Sequence, residues 1–266
     1  MPSLTTEQTA MQEAVEALYA LVDRTHLPSD LRVCFCPCCV DDNEYDALLT
    51  TPVRALSPDL IRAYSNSAHD TPPAADLRPL LPRYLELMSV GEDVDYTLVG
   101  TELLRFGDAW RQQPDLWSVG ETAQIEAWAV AYLRAEARHG DDGCALAKAI
   151  PLLIAGGLRP SLVAQTCQSE FEAPARGQRP IVDFAVTLAW RDLRPGRTSL
   201  LEWFAIGYVT EAEKQALADW LNSPALATCV AEATQTEGLT EEELFGLDTL
   251  FGAIGSFAPA SFPDHR

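Results

Sequence analysis

Four times along this chain a threonine or serine stands three residues ahead of a glutamine or glutamate, and an apolar stripe follows. The pairs are Thr5 with Gln8, Ser118 with Glu121, Thr210 with Glu213 and Thr240 with Glu243. In such a pair the hydroxyl accepts from an orphan amide of the first helical turn, and the longer side chain reaches back to the capping residue's own N–H. Each is a helix start. The stripes behind them recur at helical spacing: Met11, Val15, Leu18 and Val22; Ile125, Trp128, Ala129, Tyr132 and Leu133; Ala216, Leu217, Trp220 and Leu221; Leu244, Leu247, Phe251 and Ile254. A chain punctuated this way is directed toward helices packed on one another.

Other starts fill the gaps. Ser57 reads as an N-cap with Pro58 at the first helical position, and Asp42-Asn43-Glu44-Tyr45 as an acidic first turn. The first helix ends before Pro28. Leu80, Leu81, Tyr84, Leu85 and Met88 form a further stripe, whose regular helix the sequence starts near Pro82. Gly140 closes the helix after Ser118, and the stretches 144–156 and 160–167 read as buried helices. Ile181, Val182, Phe184, Val186 and Leu188 alternate briefly as a strand would, yet Ala185, Ala189 and Trp190 fit a helix. With no repeat at fixed period, the fold class is all-α: an irregular multi-helix domain, in two lobes or as a short solenoid-like stack of antiparallel helix pairs. The expected organisation is an N-terminal helical region over 1–169, a C-terminal one over 179–257 and a frayed tail over 258–266. The two regions are read as one compact unit, with the polar stretch 170–179 as the internal loop.

Charge limits function more than fold. Across 266 residues, 39 Asp and Glu face 19 Lys and Arg, a net charge of −20. The excess is spread along the chain, −12 over 1–140 and −8 over 141–266, so no acidic tail explains it. Phosphate recognition draws on clustered positive charge, so nucleic acid is not an expected partner, and an anionic membrane surface is disfavoured for the same reason. No stretch has the roughly 20 apolar residues a membrane span needs. The N-terminus lacks the basic and apolar regions of a signal peptide, and seven cysteines then point to reduced thiols in the cytoplasm. Only Lys148 and Lys214 among the basic residues are lysines, a bias typical of GC-rich bacterial genes.

The one unusual cluster is Cys34-Phe35-Cys36-Pro37-Cys38-Cys39-Val40. Thiolates suit zinc or monovalent copper, so Cys36, Cys38 and Cys39 are candidate metal ligands, with Cys34 or His26 as a fourth. Cys36-x-x-Cys39 also has the spacing of a redox dithiol, though without the strand–helix–strand context of thioredoxin-like proteins. The plainer alternative makes Cys36 and Cys39 small buried hydrophobes in a tight proline turn, with no cofactor at all.

Around this cluster the chain resembles a family of uncharacterised bacterial helical proteins. There a CPCCV-type motif, here Cys36 to Val40, precedes a P-x-R-x-L-S-x-x-x-I-x-x-Y segment. The counterparts here are Pro52, Arg54, Leu56, Ser57, Ile61 and Tyr64, followed later by Leu81-Pro82-Arg83-Tyr84-Leu85-Glu86-Leu87. The likeness covers about residues 14–90. It implies a helical fold, carries no established activity and transfers no catalytic residue; Cys34 and Phe35 lie outside its pattern.

The remaining polar clusters read as surface features. His69-Asp70 falls in a turn before Pro72-Pro73, His139 and Asp141-Asp142 suit the facing ends of two helix dipoles, and Asp93-x-Asp95 lacks any phosphate cradle. Trp128 and Trp220 lie on apolar stripes and are assigned to the core, while Trp110 and Trp117 flank a polar turn that they close or use as an anchor. Phosphate-loop, zinc-protease, nucleophile-elbow and dinucleotide motifs are absent. The sequence therefore points first to a non-enzymatic inhibitor, most concretely a bacterial immunity protein that occludes a basic toxin. A metal-binding or redox protein built on the cysteines is the alternative, and a helical enzyme with a private site is the third.

Overall fold

The computed structural model describes residues 5–34, 39–67, 74–92, 94, 103–139, 145–173, 178–191 and 210–257. Among them are twelve α-helices and no strand. They are α1 (Thr6–Val22), α2 (Asp42–Thr50), α3 (Pro58–Asn66), α4 (Ala74–Ser89), α5 (Leu104–Gln112), α6 (Val119–His139), α7 (Ala145–Ala155), α8 (Pro160–Phe171), α9 (Arg179–Arg191), α10 (Glu211–Leu221), α11 (Pro224–Ala233) and α12 (Glu241–Ala253). Short 3-10 turns lie at Val53–Ala55 and Pro114–Leu116.

All four capping boxes form. The Thr5, Ser118, Thr210 and Thr240 hydroxyls each accept from the amide three residues on, and Gln8, Glu121, Glu213 and Glu243 return the bond. A fifth box, Asp41 with Glu44, opens α2, and Ser57 caps α3 ahead of Pro58. The short alternation after Pro180 resolves as helix α9. Helix α4 departs from the sequence expectation, because it begins at Ala74, well before Pro82, and contains both Pro79 and Pro82. Neither proline can donate to the carbonyl four residues back, a local loss. Burial of Leu77, Leu80, Leu81, Tyr84, Leu85 and Leu87 offsets it.

The chain forms two compact units, Met1–Tyr132 and Leu133–Arg266. The division falls inside α6, and the loop between α8 and α9 that the sequence offered as a break lies within the second unit. The physical reason is packing: α7 and α8 both lie against α9, so the loop joins neighbours of one core. A boundary within a continuous helix leaves no mark in composition.

In the first unit α1 packs along α4 and α4 against α5, while α2 meets α3. Trp128 is fully buried, stacks on Tyr132 at 4.9 Å and donates its indole N–H to the Ser89 hydroxyl at 2.8 Å. Trp110 and Trp117 lie 6.3 Å apart across the turn they flank, with Trp117 buried. In the second unit α12 makes its closest approach to α9, and α10 and α11 pack on α8. Phe171, Phe184 and Trp220 form an aromatic cluster there; Trp220 is half-buried at its margin. Helix α12 sits rotated from its sequence stripe, burying Gly246, Leu247 and Leu250 and leaving Leu244 and Phe251 exposed.

Candidate functional site

The cysteine cluster occupies the connection between α1 and α2. Cys36 and Cys38 lie outside the described residues, and the flanks of the cluster lie within them. The Cys34 amide donates to the Ser67 hydroxyl at 2.8 Å, and Ser67 is fully buried at the end of α3. The Val40 amide reaches back to the Cys34 carbonyl at 3.4 Å, which brings the two ends of the cluster together. Below it the Tyr45 hydroxyl donates to the Leu31 carbonyl at 3.3 Å, and the Arg32 amide points at Asp76 Oδ2 at 3.5 Å. Three helices thus hold the extended entry to the loop. This bracing was invisible in the sequence, because Ser67, Tyr45 and Asp76 carry no motif.

Cys34 and Cys39 are both partly exposed. For Cys39 this differs from the reading of a small buried hydrophobe; its neighbour Val40 is the residue that enters the core. His26, considered as a fourth ligand, is exposed, in a segment whose Thr25 carbonyl accepts from the Val53 amide at 2.8 Å. Among the described residues no group of three or more His, Cys, Asp or Glu is disposed to hold a metal ion. Cys167 and Cys229 are buried in the second unit, far along the chain from the cluster. Burial, and after it the Glu170 carboxylate, pushes the Cys167 thiol well above its ordinary range, so it stays protonated. Cys144, His69, Asp70, Asp93, Asp95, Asp141, Asp142 and the tail 258–266 fall outside the described residues; His139 is exposed at the end of α6.

Asp76 is the most unusual group beneath the loop. It is 5% exposed, in the first turn of α4, and the donor facing it is the Arg32 amide, at the long distance given above. Burial raises its pKa above the usual carboxylate range and Asp30 adds to this, while the Arg32 amide and charge work against it. Tyr64, itself buried, is the other titratable group that feels this carboxylate. A raised folded-state value means that Asp76 favours folding fully at low pH, and that this contribution is lost as pH rises through that value. Asp76→Asn is therefore expected to raise the denaturation midpoint at pH 7 and to leave it unchanged near pH 3. Paired denaturant titrations at the two pH values measure the difference.

A second polar network, missed by motif searching, joins the segment 54–56 to α1 and α4. Arg83 donates through Nε to the Leu56 carbonyl at 2.9 Å and through Nη1 to Glu86 at 2.7 Å. The same Glu86 oxygen accepts from the Tyr19 hydroxyl at 2.8 Å. Arg54 lies 3.9 Å above the Tyr19 ring and grips Glu16 with two bonds of 2.9 and 2.7 Å. Burial, then the bond to Glu86, lifts the Tyr19 pKa far above normal, so the phenol remains a donor. The network is a clamp between α1, the 3-10 turn and α4, and the clue to it was the pair of arginines in otherwise apolar segments.

No described helix is long and apolar enough to cross a membrane. No protein-family model, no curated protein and no solved structure matches this chain.

Proposed function

We propose that this chain is a protein-binding inhibitor, an acidic partner that occludes a basic protein in the manner of a bacterial immunity protein. The observation that carries the reading is how the charges are used. Arg54, Arg78, Arg83, Arg138, Arg179 and Lys214 each face a carboxylate of the same chain. Meanwhile Glu13, Asp23, Asp30, Asp42, Asp46 and Asp115 are exposed in the first unit, and Glu172, Asp219, Glu232, Glu237, Glu242 and Asp248 in the second. These six cations are each neutralised within the chain, and the exposed carboxylates outnumber the exposed arginines that remain, such as Arg24 and Arg32. Such a surface accelerates encounter with a cationic protein and repels nucleic acid and anionic lipid. Enzymatic use is not favoured, because the carboxylates best isolated from water, Glu121 and Glu170, are both locked to arginines.

Affinity capture from the native cell, followed by mass spectrometry and a stoichiometric activity assay, tests this. The expected result is a basic protein whose activity falls to zero at one equivalent. An acidic or neutral partner, or a complex that leaves the partner's activity intact, would overturn the reading.

A further inference from the structure

We infer that the outer face of α12 is the docking surface, and that it receives a cationic amphipathic segment of the partner. The inference rests on the inhibitor reading above and names where the contact is made. Sequence periodicity places Leu244 and Phe251 on the core stripe of α12, yet they are 39% and 51% exposed. The cause is Gly246. A Cβ built there would lie 2.8 Å from the Val186 Cα and 2.9 Å from its amide nitrogen, so α12 presses its glycine onto the backbone of α9. That contact rotates the helix, buries Leu247 and Leu250, and turns Leu244 and Phe251 outward.

Leu244 and Phe251 are two turns apart on one side of α12. Exposed Asp248 and Glu241 stand beside them, and Phe245, 55% exposed, lies beyond these two carboxylates on the same outward side. Charge decides the occupant. Residues 210–257 contain Glu211, Glu213, Asp219, Glu232, Glu237, Glu241, Glu242, Glu243 and Asp248 against one cation, Lys214, and Arg179 of α9, bonded to Glu243, adds a second positive charge beside α12. That lysine is buried and bonded to Glu211 at 2.6 Å. An apolar stripe set in such a field fits a segment with its own apolar stripe edged by Lys or Arg. A second copy of this chain would bring like charge against like, which costs binding.

The test uses the full chain and two synthetic peptides of equal charge, an amphipathic helix of lysine and leucine and a lysine–serine peptide, titrated by calorimetry. The lysine–leucine peptide is expected to bind more tightly. Phe251→Ser and Leu244→Ser should each weaken it by about tenfold, the effect of removing a central apolar anchor, and leave the lysine–serine peptide unchanged. Val119→Ser, at a position 89% exposed in the first unit, should alter neither. Circular dichroism confirms that each variant is folded. Undiminished lysine–leucine binding by both α12 variants overturns the docking surface, as does a wild-type dimer in sedimentation that Phe251→Ser dissolves. Binding of both peptides that is indifferent to salt, with the Phe251 effect intact, would instead overturn the charge-based reading and spare the surface.

Discussion

Glu170→Ala is expected to destabilise the second unit by about 1.5–3 kcal/mol, the range for hydrogen bonds to a charged group whose partners keep some contact with water. Glu170 is 2% exposed on α8. It accepts from Arg138 Nε and Nη2, both at 2.6 Å, and Arg134 Nε stands 3.5 Å away, so two arginines of α6 converge on one carboxylate. Removing that carboxylate deletes the fork and leaves two like charges near each other, Arg138 half-buried and Arg134 more open to solvent. Glu170→Leu combined with Arg138→Met should recover most of the loss, because an apolar pair of similar volume carries no desolvation penalty. Guanidinium unfolding followed by the fluorescence of Trp220, which stacks near Phe171 of the same helix as Glu170, measures both variants. A double variant no better than Glu170→Ala would show that the cluster acts through packing and not through charge.

Gly246→Ala should cost about 1–3 kcal/mol or more, the range for forcing atoms into a filled interface. The neighbours of the added methyl are backbone atoms of Val186, which cannot rotate away, so α12 must lift from α9. The Arg179–Glu243 ion pair, which ties the first turns of these helices together, would be stretched with it. Gly252 provides the internal control. It lies on the same helix, and a methyl added there would meet nothing within 4 Å. At that position alanine should stabilise by up to about 1 kcal/mol through its helix propensity. Opposite signs at two glycines six residues apart separate interface crowding from backbone propensity, and chemical denaturation reads both.

The helix starts were legible because capping is local. Thr5, Ser118, Thr210 and Thr240 find their partners within four residues, so a window of the sequence contains the whole interaction. The interior of α4 was less legible, since the cost of Pro79 and Pro82 is local while the gain comes from packing on α1. The same logic explains α12. Its apolar spacing alone favours a stripe through Leu244 and Phe251, and only the position of Val186 on another helix shows why Gly246 takes the inward side. At the cysteine loop, the thiols announce themselves but their supports do not. Ser67 and Asp76 lie 33 and 44 residues from the backbone amides they meet, and no periodicity links positions that far apart. The Arg54–Tyr19–Glu86–Arg83 clamp is an intermediate case, because its two arginines stand out in otherwise apolar segments while Tyr19 looks like any core aromatic.

The same carboxylates that make the chain acidic are used in two ways. Glu121 is fully buried and bonded to Arg78 Nε at 2.7 Å and to the Ser118 amide at 2.8 Å. Burial pushes its pKa up, but the Arg78 and Ser118 bonds together outweigh this and hold it below the ordinary value. Such groups secure the fold. Others, such as Glu13, Asp115, Glu237 and Asp248, stand exposed, and their cost in self-repulsion is explained if they steer a partner.

The most direct measurement of that claim is the association rate of the captured partner by stopped flow, from low to high salt. A steered encounter predicts a rate that falls at least about tenfold as the Debye length contracts from roughly 30 Å to 3 Å, with dissociation changing much less. A rate constant unchanged across that range would contradict it.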